Sequence, residues 1–247
     1  MSVLTFDTET SGLYDFTKPA DDPSQPRVIE LAAMLHTGPG ATVSTVDLLV
    51  KPDGWIVPDD VVALHGITIE MCEAEGRPIR EVLDAFNALM DEADLITAYG
   101  VDFDLKAYRG EARRAGLSDR YGEKPQFCIL RACTPLAKCP PTPKMIASAR
   151  ARNRRPSWKP PKLTEAARNI LGLPHDRAHR ALVDVEMSVK LFWHLYGLDL
   201  VKPVQRTSTR SEGQDAGMPP RAAVRAPEAR PPGPPTFSSA DDIDSPL

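Results

Sequence analysis

Cysteine is scarce in this chain: four residues among 247 (Cys72, Cys128, Cys133 and Cys139), with no Cys-x-x-Cys pair. That excludes a disulfide scaffold and a zinc ribbon as the source of stability. No run approaches the roughly 18 apolar residues of a membrane-crossing helix. The opening MSVLTFDTET lacks a basic stretch followed by an apolar one, so no secretory signal is expected. A reduced, cytoplasmic, membrane-free setting is the resulting expectation. An excess of one charge is missing too, with 30 lysines and arginines against 34 aspartates and glutamates, a formal net charge of -4. What is present is 42% hydrophobic residues, enough for a core of one large domain or two small ones.

The 25 prolines are unevenly spread. Residues 201–247 hold nine prolines, three glycines, six basic and six acidic residues, with few large apolar side chains. Such a segment cannot bury enough apolar surface to offset its conformational entropy, so a disordered tail is expected after a globular domain of residues 1–200. Within that domain, residues 138–162 carry eight basic residues, six prolines and no acid. The rest of the chain is left with 22 basic against 34 acidic residues, so the mild net charge conceals a basic loop on an acidic body. That loop is either simply solvated or a phosphate-contacting element, with Trp158 available for stacking.

Hydrophobic patterning predicts strands over residues 2–6, 27–36, 42–51, 95–99 and 127–130, and helices over 78–92, 102–115, 163–171 and 180–195. Ile79, Val82, Leu83, Phe86, Leu89 and Met90 show the clearest helical spacing. The order of three strands, helix, strand, helix, strand and helices predicts an α/β domain. Its sheet is mixed, opening antiparallel and extended in parallel through helices.

Acidic residues gather at predicted element ends. Asp7 and Glu9 are two positions apart, so on a strand both side chains leave one face. Carboxylates held so close repel unless a cation neutralises them, and hard divalent cations prefer oxygen ligands. Asp102 and Asp104 lie where a strand gives way to a helix. His179 and Asp184 are five residues apart, about 140° net on a helix. They converge only if His179 precedes the helix while Asp184 projects from its first turns. Each piece alone has an ordinary surface reading.

Taken in order, these segments resemble the DEDDh 3′→5′ exonucleases, the superfamily that contains the proofreading (epsilon) subunit of bacterial DNA polymerase III. Asp7-Thr8-Glu9-Thr10-Ser11-Gly12-Leu13 is similar to the first motif, Phe103-Asp104 to the second, and His179-x-Ala181-x-x-Asp184 to the third. The stretch from Ala63 to Met71, containing His65-Gly66-Ile67-Thr68, and the Cys133-Thr134 pair also look like the family. The resemblance covers about residues 2 to 196. It implies a ribonuclease H-like fold, a mixed five-stranded sheet flanked by helices. Asp7, Glu9, Asp104 and Asp184 would hold two magnesium ions, with manganese able to substitute, and His179 would be the general base. Four carboxylates and two divalent ions balance in charge.

The implied reaction is hydrolysis of the terminal phosphodiester at a 3′ end, releasing nucleoside 5′-monophosphates from single-stranded DNA or frayed 3′ ends. The residues expected to touch substrate are Thr8, Thr10, Gly12, Leu13 (against the terminal base), His65 and Phe103, with Trp158 and Lys159 in the basic loop. One departure stands out: Tyr99-Gly100 replaces the family's usual His-Asn. Competing readings are a non-catalytic nucleic-acid-binding module of the same fold, which retention of all four carboxylates and the histidine argues against, and an RNA-trimming exoribonuclease. The acidic and apolar end of the tail, residues 241–247, is a candidate docking tip for a DNA polymerase or other replication protein.

Overall fold

A computed structural model describes residues 1–120, 122–175 and 179–205. Five strands form one mixed sheet: β1 (Val3–Thr10), β2 (Val28–Gly38), β3 (Ala41–Leu49), β4 (Leu95–Ala98) and β5 (Gln126–Cys128), in spatial order β3-β2-β1-β4-β5. β1, β2 and β3 pair antiparallel, whereas β1, β4 and β5 run parallel, so the ends of these three strands meet at one edge of the sheet. This is the expected ribonuclease H-like architecture.

β1 runs four residues beyond its predicted end at Phe6. Carboxylates at 7 and 9 look like a strand terminus in sequence, yet all eight residues of VLTFDTET are buried. The period of two sorts them cleanly. Leu4 and Phe6 enter a core with Val82, Phe86, Leu105 and Tyr108 beneath α3 (Ile79–Glu92) and α4 (Val101–Arg114). Val3 faces the other way, into a core with Leu95, Tyr99, Phe127, Leu191 and Phe192 beneath α8 (Ala181–Gly197). Asp7 and Glu9 share the parity of Val3 and therefore leave the sheet on the α8 face.

Outside the basic loop three helices were not predicted: α1 (Asp59–His65), α2 (Ile69–Glu75) and α5 (Ile129–Ala137). The first two are seven residues each, too short to display an apolar period. α1 is delimited instead by Pro58 before it and by Gly66, whose φ of 75° ends it in the left-handed region. The strand predicted over 127–130 is β5, which stops at Cys128 because α5 begins directly, with Pro135 inside it. A further helix, α6 (Pro143–Ala151), rises within the basic loop. The predicted helix over 163–171 is a short α7 (Leu163–Ala166) continuing as a π-helical turn to Leu171.

All four cysteines are buried free thiols, and burial pushes Cys133 up to about 12. No helix among the described residues is long and apolar enough to cross a membrane. The boundary drawn at Leu200 is passed by five residues. Val204 exchanges backbone hydrogen bonds with Gln126 on β5, at 2.9 and 2.8 Å, extending the sheet beyond its last full strand. The tail from 206 onward, including the candidate docking tip, lies outside the described residues.

Candidate active site

An acidic cluster forms where the end of β1 meets the start of α8. Glu9 lies near the end of β1, opposite Glu30 on β2. One ligand atom each from Glu9, His179 and Asp184 lies within 4.8 Å of the others. That convergence requires the chain geometry inferred from the spacing. α8 begins at Ala181, so Asp184 is in its first turn, while His179 precedes the helix with a φ of 75°. Asp7 emerges two residues earlier on the same strand face and pairs across the sheet with Ala32, which packs against Ala181 and Val185 of α8.

Asp104, on α4, is not among the three grouped residues and is tied to β1 instead. It is fully buried, and its Oδ1 accepts hydrogen bonds from both the backbone amide (3.1 Å) and the hydroxyl (2.9 Å) of Thr8. Thr8 lies between Asp7 and Glu9, so the second carboxylate motif is fastened to the first. Asp102, the alternative ligand in the same segment, instead forms an ion pair with Arg131 of α5.

Two features of this site escaped the sequence reading. His175 is buried, and its Nε2 lies 2.6 Å from Asp184 Oδ1. The carboxylate accepts, so Nε2 carries the hydrogen. The other Asp184 oxygen accepts from the backbone amide of His179 at 3.3 Å. The second feature is Glu30. Its buried carboxylate accepts from Arg180 Nη2 at 2.7 Å and from the Ala181 amide at 2.8 Å, holding the first turn of α8 against β2. The only sequence signals were a histidine four residues before His179 and an acid inside an apolar strand, and neither names its partner.

The other expected residues are dispersed. Thr10 donates its hydroxyl to the Gly12 carbonyl at 2.7 Å, fixing a turn from which Leu13 projects 57% exposed. Phe103 is buried in the core, packed edge-to-face on Tyr14. Thr8 is likewise buried, with its polar groups directed to Asp104. His65 accepts at Nδ1 from the Ile67 amide, 3.0 Å, so its hydrogen is on Nε2, which is buried without a hydrogen-bond partner. Burial pushes this imidazole down to about 4; the nearby Glu30 carboxylate opposes that shift, while His179 and Arg180 add to it. Trp158 is exposed, and Lys159 is paired with Glu165.

The departure at Tyr99 has a structural consequence. Its buried hydroxyl donates to the Pro161 carbonyl at 2.9 Å, anchoring the end of the basic loop beside the end of β4. β4 pairs with β1 through Thr5↔Thr97, and Tyr99, just past the end of β4, packs with Val3 on the α8 face of the sheet.

Carboxylates converging with one imidazole suit a hard divalent cation, which takes oxygen ligands and relieves their mutual repulsion. A sequence profile of the RNase T family, described as exonucleases, matches residues 4–192. Among solved structures, one of exonuclease I is 20% identical with a TM-score of 0.59, covering 79% of this chain and 41% of that one. The zinc-bound E. coli exonuclease I complex with single-stranded DNA is also 20% identical, with a TM-score of 0.58 and coverage of 80% and 40%. E. coli exonuclease I with a dA16 oligonucleotide gives 20% identity, a TM-score of 0.58 and coverage of 79% and 41%. The chain thus corresponds to about two fifths of those proteins, and the likeness is one of fold. No curated protein matches.

Proposed function

The chain belongs to the RNase T exonuclease family, and we propose that it removes nucleotides one at a time from the 3′ end of single-stranded or frayed DNA, releasing nucleoside 5′-monophosphates. The observation that carries this reading is the convergence of Glu9, His179 and Asp184 within 4.8 Å. The holders of two divalent ions, magnesium by preference, are Asp7, Glu9, Asp104 and Asp184. When bound, such ions supply Lewis-acid stabilisation of the phosphate and a lowered pKa for attacking water.

The protein's own groups do the rest. His179 is the general base, since an imidazole has an ordinary pKa near ~6.5 and exchanges a proton near neutrality. Its position outside α8 frees the ring from the helical direction that Asp184 follows. Thr8 holds Asp104, and His175 holds Asp184, so these carboxylates stay oriented before substrate arrives. Leu13, exposed on its hydroxyl-braced turn, is suited to pack against the terminal base. His65 offers a buried N–H beside the cluster for substrate.

Fold relatives solved with single-stranded DNA support the choice of DNA. Proofreading or DNA processing is the setting we assign, with the tail as a tether to a polymerase or other replication protein. A 5′-labelled single strand in magnesium should yield a ladder shortened from its 3′ end, and Asp184→Ala should abolish it. His179→Ala should lower kcat far more than it weakens manganese binding. Early release of the 5′ label as a mononucleotide would overturn the polarity, faster loss of RNA the substrate, and an unimpaired Asp184→Ala the site.

A further inference from the structure

The basic segment is a built arm. Its base closes where the Lys159 amide donates to the Cys139 carbonyl at 3.0 Å. Its outgoing end is fixed by Glu165, which accepts from the Lys162 amide at 2.7 Å and pairs with Lys159, and by Tyr99 on the Pro161 carbonyl. At its start, Asn169 donates to the Ala137 carbonyl at 3.0 Å.

Between these anchors α6 starts with a hydrogen bond from the Met145 amide to the Thr142 hydroxyl. It ends in a defined turn: the Arg154 amide donates to the Ala149 carbonyl at 2.9 Å and the Asn153 amide to Arg150 at 3.0 Å, with Asn153 at a φ of 51°. This is the double hydrogen bond of a Schellman cap.

That cap presents a dense cationic surface. Residues 150–158 are all exposed, and α6 buries no residue of its own. Arg150, Arg152, Arg154 and Arg155 form no ion pair among the described residues, in contrast to Lys159 at the base. Trp158 stands at the end of the same exposed run, 46% accessible. Unpaired arginines that close together repel one another, and the fold holds them with no acid anywhere between 138 and 162. The acidic remainder of the chain repels a polyanion, which makes the arm the place where one settles.

We infer that the tip of this arm, Arg150, Arg152, Arg154, Arg155 and Trp158, grips the backbone and one base of a single strand upstream of the end being cleaved. The inference rests on the nuclease reading above and names the surface that retains the substrate between cleavages. A single strand is favoured over a duplex because Trp158, 46% exposed, follows the arginines in the same exposed run, and bases stack on an aromatic ring only when they are unpaired. The anchor through Tyr99 roots the arm at the sheet edge where the acidic cluster lies.

The test uses the full chain with the four arginines changed to glutamine, and separately Trp158→Ala. Binding of a 5′-fluorescent dT20 strand is followed by anisotropy in EDTA, where no metal-dependent cleavage intervenes. For single strands each neutralised phosphate contributes about 0.7 to the slope of log affinity against log salt. The quadruple variant should therefore show a slope shallower by about 2 to 3, and Trp158→Ala a loss of about fivefold or more with its slope retained. In turnover, KM for dT20 should rise about tenfold or more in the quadruple variant while kcat moves less than twofold.

Wild-type affinity and slope in the quadruple variant would overturn the inference. A larger loss for blunt duplex than for dT20 would overturn the single-strand assignment. Absence of nuclease activity in the wild type would sink the functional reading instead, and the EDTA measurement would still decide the arm.

Discussion

Replacing Glu30 tests whether the first turn of α8, and with it Asp184, is held from the sheet. In Glu30→Ala the Ala181 amide loses its partner in a buried position, and an orphaned buried donor costs about 1–3 kcal/mol. Arg180 loses its carboxylate as well, but its side chain is 45% exposed and can turn to water, so that part is worth about 0.2–1 kcal/mol. Opposing both is relief of like-charge repulsion from Glu9, directly across the strand pair, of about the same small size. The net is a loss of about 2 kcal/mol, which for a domain of this size lowers Tm by about 4–8 °C. Glu30→Gln keeps an oxygen for the Ala181 amide and should lose about half as much. Thermal unfolding followed by circular dichroism gives the order, and a manganese titration by electron paramagnetic resonance gives the consequence for the site: weaker binding in Glu30→Ala. If the alanine variant melts within 1 °C of wild type, or if glutamine is as damaging as alanine, the hydrogen bond from β2 does not hold α8.

His175→Ala should raise the manganese concentration for half-saturation about 10- to 100-fold, with His175→Gln falling between, because an outer partner orients a ligating carboxylate. The same resonance titration reads it, and a wild-type midpoint would leave His175 a packing residue. His36 concerns stability instead. Trp193 donates to its Nδ1 at 3.0 Å and its Nε2–H meets the Thr5 hydroxyl at 2.7 Å, so the ring is held neutral. Burial pushes it down to about 4, against about 6.5 when unfolded. The unfolded chain therefore takes up the proton first: stability from this group is complete above about pH 6.5 and is lost as pH falls toward 4. That is worth roughly 2–3 kcal/mol between pH 7 and 4.5. Urea midpoints at the two pH values should draw together in His36→Asn, and an equal drop in both proteins would refute the assignment.

The parts of the fold that could be read from sequence are those with a long period. α3 shows six apolar residues at helical spacing, and the second and third strands carry strand-type patterning over about ten residues each. What could not be read depended on partners supplied by the tertiary structure. β1 continues through Asp7 and Glu9 because other elements cover those carboxylates, and no local propensity reports that cover. α1 and α2 owe their ends to Pro58, Gly66 and Thr68 rather than to a stripe. Within the site, the His179–Asp184 spacing correctly demanded a helix start between the two, since only that start lets them converge. His175 and Glu30 were opaque for the opposite reason: their parts follow from distances of 2.6 to 2.8 Å to residues on other elements, and a one-dimensional pattern does not contain such distances.

The holding contacts share a logic that bears on how the site stays assembled. Asp104 from α4 is fixed by Thr8 of β1, Asp184 of α8 is fixed by His175 and the His179 amide from the loop before it, and the start of α8 is fixed by Glu30 of β2. Two of these three sets of contacts join the sheet to a helix rather than closing within one element. Several buried carboxylates in one place should push the elements apart, so the fold has to hold them by donors before any cation is present. The backbone amides of Thr8 and Ala181, which donate to Asp104 and Glu30, are groups that no side-chain substitution at their own positions removes. The acidic site is therefore built with part of its restraint in the backbone. Its geometry should then survive loss of a single cation-binding side chain better than loss of the helix start that Glu30 secures.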